Sequence, residues 1–77
     1  MTTIFATVNR NGDIITETEC GAWTSTGALG VQANDGTMHA ADGVGPRARM
    51  VARLLSEESG EVVTIDMVLD AWEAIRG

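Results

Sequence analysis

IFATVNRNGDIITETEC, residues 4–20, decides the fold class. Ile4–Asn9 and Ile14–Cys20 are two runs rich in β-formers, and Asn11-Gly12 between them is the strongest short-range hairpin signal, because both residues tolerate positive φ. The chain therefore begins with antiparallel strands. A two-residue loop sets Val8 opposite Ile15 and Ala6 opposite Glu17, which leaves each face of the hairpin mixed.

Beyond the hairpin, residues 21–45 shift towards Gly, Ala, Thr and Ser, with Trp23 as the one large anchor. Leu29–Ala33 and Thr37–Ala41 flank Asn34-Asp35-Gly36, which predicts a second, weaker hairpin whose glycines keep its strands short. Helical spacing starts after Pro46, a residue suited to a first turn, and runs through Met50, Val51, Leu54 and Leu55 to stop before Gly60. Glu61–Thr64 reads as a brief link or short strand. Thr64 then caps a final helix whose Ile65, Val68, Leu69, Trp72 and Ile75 make one continuous apolar stripe. Strands come first and helices last, with no repeat and no strand–helix alternation. The expected architecture is α+β: a small antiparallel sheet of three to four strands covered on one face by two C-terminal helices.

With 77 residues, 44% of them hydrophobic, the chain has room for a single domain and one thin core, built mainly from Val, Ile, Leu, Met and Ala. Cys20 is the only cysteine, so an internal disulfide is excluded, and self-association into a homodimer is one way so small a domain gains stability. No run of residues is apolar enough for a membrane span, and MTTIFATVNRNG does not read as a signal peptide; both point to the cytoplasm.

Catalytic chemistry finds little to use. There is no lysine, which removes phosphate-binding, Schiff-base and general-base lysines together. Cys20 and His39, the single cysteine and the single histidine, stand nineteen residues apart and fall short of a zinc ligand set. If Gly12 or Gly36 were the turn glycine of a calcium loop, its first ligand would fall on Thr7 or Val31 and its twelfth on Thr18 or Asp42; the ligand pattern fails both times. Nucleophilic catalysis would have to pair Cys20, Ser25, Ser56 or Ser59 with His39, and none lies in a nucleophile elbow. The expectation is a non-enzyme with no catalytic residue, cofactor or metal.

Charge is the remaining signal. Eleven acids against five bases, all arginine, give a formal net charge of −6, which disfavours direct nucleic-acid binding and favours a basic partner. Glu17 and Glu19 alternate on one strand about 7 Å apart, close to the spacing of successive phosphates along a nucleic-acid strand. Asp66, Asp70 and Glu73 form a second row on the last helix, and Glu57, Glu58 and Glu61 surround the turn between the helices. Such rows can occupy a basic groove; the plainer reading is a solvated face. Of opposite sign, Arg47, Arg49 and Arg53 mark the first helix as the phosphate-contacting element of a small DNA-binding regulator, although Arg53 can equally pair with Glu57 one turn on, and the acids of the last helix oppose a groove-reading role.

In size, acidity, lack of lysine chemistry and absence of a catalytic set, the chain resembles the heterogeneous group of small phage or mobile-element inhibitors that includes anti-CRISPR proteins. The resemblance implies stoichiometric binding to a host protein or nucleoprotein complex, with the eight named acids blocking a basic nucleic-acid-binding surface. A structural or assembly subunit of a phage or bacterial complex is the third class the sequence leaves open.

Overall fold

The computed structural model describes residues 2–76. Its elements are β1 (Ile4–Val8), β2 (Ile14–Thr18), β3 (Trp23–Gly27), β4 (Gly30–Gln32), β5 (Met38–His39), α1 (Val44–Ser59) and α2 (Ile65–Arg76). The strands form one antiparallel sheet in chain order, β1-β2-β3-β4-β5, so the fold is α+β as expected, with five strands in place of three to four.

Three of the four hairpins share one loop geometry. At Asn9–Asp13, Thr18–Ala22 and Ala33–Thr37, the first residue's N–H donates to the last residue's carbonyl at 2.8–2.9 Å, and the glycine in fourth place donates back to the first residue's carbonyl. These are three-residue loops closed by Gly12, Gly21 and Gly36, with φ of 87°, 99° and 92°. The expected two-residue loop at Asn11-Gly12 is thereby corrected: Asn9 Oδ1 accepts from the N–H groups of both Asn11 and Asp13, which holds the longer turn. The register becomes Val8 opposite Ile14 and Ala6 opposite Thr16, which takes Glu17 off the face that carries Ala6. The Thr18–Ala22 loop also ends β2 at Thr18, short of the expected Cys20, so Glu19 lies in a turn and not on the strand.

Sidedness follows from the register. Ile4, Ala6, Ile14, Thr16, Thr18, Thr24, Thr26 and Val31 face the helices, while Phe5, Ile15, Glu17, Trp23, Ser25, Gln32 and Met38 face away. α1 packs over β3, β4 and β2, and α2 over β1. Ala48, Val51, Ala52, Leu54 and Leu55 of α1 meet Val68 and Trp72 of α2 above Val31 and the buried threonines. Trp72, 4% exposed, donates its indole N–H to Thr16 Oγ1 at 2.9 Å and so fixes α2 to the middle of the sheet. Trp23 is not the internal anchor the sequence suggested. It stands half-buried on the open side of the sheet.

The helix ends follow local chemistry. Met67 N–H donates to Thr64 Oγ1 at 3.2 Å, the N-cap bond expected of Thr64, and Gly60 closes α1 in the left-handed region with its N–H on Ser56 O. Residues 61–64 form a link with no strand. Ser56 Oγ secures it, accepting from Val63 N–H at 3.0 Å while donating to Ala52 O at 2.7 Å. Gly30 is required for another reason: a Cβ there would overlap the backbone carbonyl of His39 where the chain crosses from β5 into α1.

Candidate functional site

Among the described residues, the acids are distributed over both sides of the molecule. Asp66, Asp70 and Glu73 are exposed, and their spacing puts them on one stripe of α2, opposite the buried Val68 and Trp72. Because Trp72 is hydrogen-bonded into the sheet, the stripe is carried on a fixed helix. Glu17 is exposed on the other side, on the outer face of the sheet, and Glu19 sits in the β2–β3 turn. The structure therefore does not join the two rows into one surface.

Glu57 and Glu58 at the end of α1 and Glu61 in the link after it are exposed, but two of them are engaged within the molecule. Glu57 Oε1 takes the guanidinium of Arg53 at 3.1 Å, the only ion pair among the described residues. Glu58 Oε1 accepts from the backbone N–H of Asn34 at 3.3 Å and ties α1 to the β4–β5 turn. Glu61 projects from the link, its own N–H on Ser59 Oγ. The Asp35 carboxyl is held below its ordinary range because its Oδ1 accepts from the N–H of Thr37 at 2.9 Å.

The arginines of α1 are similarly divided. Arg47 donates through Nε to Ala41 O and through its terminal nitrogen to Ala28 O, both at 3.0 Å, and so bolts the start of α1 to the β3–β4 turn. Its guanidinium is occupied by backbone carbonyls, and Arg53 is paired. Arg49 and Arg53 border a shallow groove of about 530 Å³ floored by Pro46, Met50 and Ile65.

The nucleophile candidates do not converge on His39. His39 lies in the cross-strand row Val8, Ile14, Thr26, Val31, His39, at the far end of β3 from the turn that carries Cys20. Cys20 Sγ is 3.1 Å from Thr18 Oγ1, and Ser56 is committed to the interhelical link. No three of the His, Cys, Asp and Glu side chains described come together as a metal site. No described helix is long and apolar enough to cross a membrane.

Sequence reasoning identified the acids but missed Phe5, Ile15, Trp23 and Met38 as a surface set. The signal was present in the period-two spacing of Phe5 and Thr7, Ile15 and Glu17, Trp23 and Ser25; assigning it to the open face needs the loop length. No protein-family profile, curated protein or solved structure matches the chain.

Proposed function

We propose that the protein is a non-enzymatic, stoichiometric binding protein of the cytoplasm, of the phage-inhibitor kind, which covers a basic nucleic-acid-binding surface of a host complex with its acidic side chains. The observation that carries this reading is the stripe Asp66, Asp70 and Glu73: three exposed carboxylates, none in an ion pair among the described residues, on a helix locked to the sheet through Trp72. Fixed unneutralised charges need little reordering on binding, which is where preorganised interfaces gain affinity. The regulator reading loses ground because Arg47 is consumed by backbone carbonyls and Arg53 by Glu57.

The test is capture of the purified chain's partner from a candidate host, followed by competition. Binding should weaken steeply with salt and be displaced by single- or double-stranded nucleic acid at the same site. A partner that holds the chain and its nucleic acid simultaneously would rule out the groove-blocking mechanism. Recovery of DNA alone would reinstate the regulator reading.

A further inference from the structure

Two of the chain's three aromatic side chains, Phe5 and Trp23, lie outside the core. In a domain whose core is otherwise built from Val, Leu, Ala and Thr, this is a conspicuous use of large apolar groups. Both stand on the outer face of the sheet, in one cross-strand row, Phe5 on β1, Glu17 on β2 and Trp23 on β3. Phe5 is 49% exposed, and Met38 is 51% exposed on the same face. Ile15, two residues before Glu17, continues the apolar surface into the row Thr7, Ile15, Ser25, Gln32, Met38. Neighbouring strands lie about 4.8 Å apart, so a group seated over the Glu17 carboxylate is within reach of both rings.

The chemistry of the row selects its occupant. Glu17 is central on this face, Asp13 lies at its margin beside Gly27, and no arginine belongs to the outward-facing strand positions. A phosphate backbone would be repelled. A second copy stacked by twofold symmetry would bring one Glu17 towards the other with no base to answer either, and would add two chains of net charge −6. The face is open, and the cleft beside it, lined by Asp13, Ser25, Gln32 and Met38, is only about 160 Å³, too small for a drug-sized molecule. A planar cation satisfies every feature. An arginine side chain can fork two N–H groups onto the carboxylate while its flat guanidinium lies against the indole of Trp23 and its stem against Phe5 and Ile15.

We infer that the outer face of the sheet is a protein-docking surface, centred on Glu17 between Phe5 and Trp23, that receives an arginine of a second protein, flanked by apolar side chains. Aromatic groups around one desolvated charge pair have the composition of an interface hot spot. This surface is on the opposite side from the stripe of α2 and does not depend on it.

The experiment is an NMR titration of the isotope-labelled intact chain with two short capped peptides, one carrying arginine between two leucines and the other carrying citrulline, its neutral near-isostere, in the same place. The arginine peptide should perturb the signals of Phe5, Ile15, Glu17 and the Trp23 indole. Its affinity should fall at least about tenfold with citrulline, and by a similar factor in Glu17→Gln, an exposed change whose unaltered thermal midpoint verifies the fold. A variant combining Asp66→Lys with Asp70→Lys should bind the peptide like the parent. Equal affinity for the two peptides, no loss in Glu17→Gln, shifts confined to the helical side, or no shift at millimolar peptide would each overturn the proposal. So would sedimentation of the parent chain as a dimer that buries this face.

Discussion

Thr16, Thr24 and Thr26 occupy equivalent inward positions, all buried, yet their hydroxyls meet different circumstances. Thr16 Oγ1 accepts the indole N–H of Trp72, whereas the hydroxyls of Thr24 and Thr26 have no hydrogen-bond partner among the described residues. An unsatisfied buried polar group costs about 1–3 kcal/mol, so the same near-isosteric substitution should have opposite signs at adjacent sites. Thr24→Val keeps the β-branched shape and should stabilise the domain by about 1 kcal/mol, a rise of roughly 4–8 °C in thermal midpoint for a domain of this size. Thr16→Val strands the indole N–H and should lower the midpoint by a comparable or larger amount. Thermal melts of both variants decide it: a fall for Thr24→Val would mean that its hydroxyl is satisfied after all. Trp72→Ala removes both the hydrogen bond and the largest core side chain, a loss of about 3–5 kcal/mol, and should leave most molecules unfolded at body temperature by circular dichroism.

The three matching hairpin loops show what was readable at the scale of elements. Asn11-Gly12 and Asp35-Gly36 announce turns because Asn, Asp and Gly are the residues that tolerate these conformations. Cys20-Gly21 gives only half of that signal, and β3 behind it was missed. The cause is chemical: the inward positions of β3 are Thr24 and Thr26 while Trp23 points out, so the alternation of apolar and polar residues is inverted relative to a core strand. Both helices were legible because their stripes are conventional and Thr64, Pro46 and Gly60 punctuate them. Nothing lies within 4 Å of a Cβ placed on Gly12, Gly21 or Gly36, so alanine there is opposed by backbone conformation alone and should cost about 1–2 kcal/mol at each, measurable by urea unfolding. A near-zero cost at Gly21 would mean that the β2–β3 turn adopts another form. The β4–β5 loop adds a pH dependence. Asp35 has its folded pKa depressed by the Thr37 N–H, so its contribution is complete above the ordinary carboxylate pKa and is lost as pH falls through the lower, folded value. Asp35→Asn should flatten that part of the acid limb of stability without moving the neutral plateau by more than the lost turn bond.

At the scale of the whole molecule, the eight acids were legible but their sides were not, because sidedness depends on where each hairpin loop closes. Glu17 looks out from the sheet, and Asp66, Asp70 and Glu73 look out from α2, across a body about 22 Å thick in its shortest direction. The Debye length is about 8 Å at physiological ionic strength and about 30 Å at 0.01 M. The two faces are therefore electrostatically separate in the first condition and coupled in the second. A rigid basic groove can enclose one of them, and the other then acts on that groove only through the long-range field. If the groove holds α2, Asp66→Lys with Asp70→Lys should abolish binding of the captured partner at both ionic strengths. Glu17→Lys with Glu19→Lys, which changes the net charge by the same amount, should slow association at low salt and approach the parent's rate at physiological salt. Surface plasmon resonance across the two salt conditions separates contact from steering. Equal losses from the two pairs at physiological salt would show that net charge, and not the α2 stripe, governs binding; a loss confined to the Glu17 pair would move the contact to the sheet.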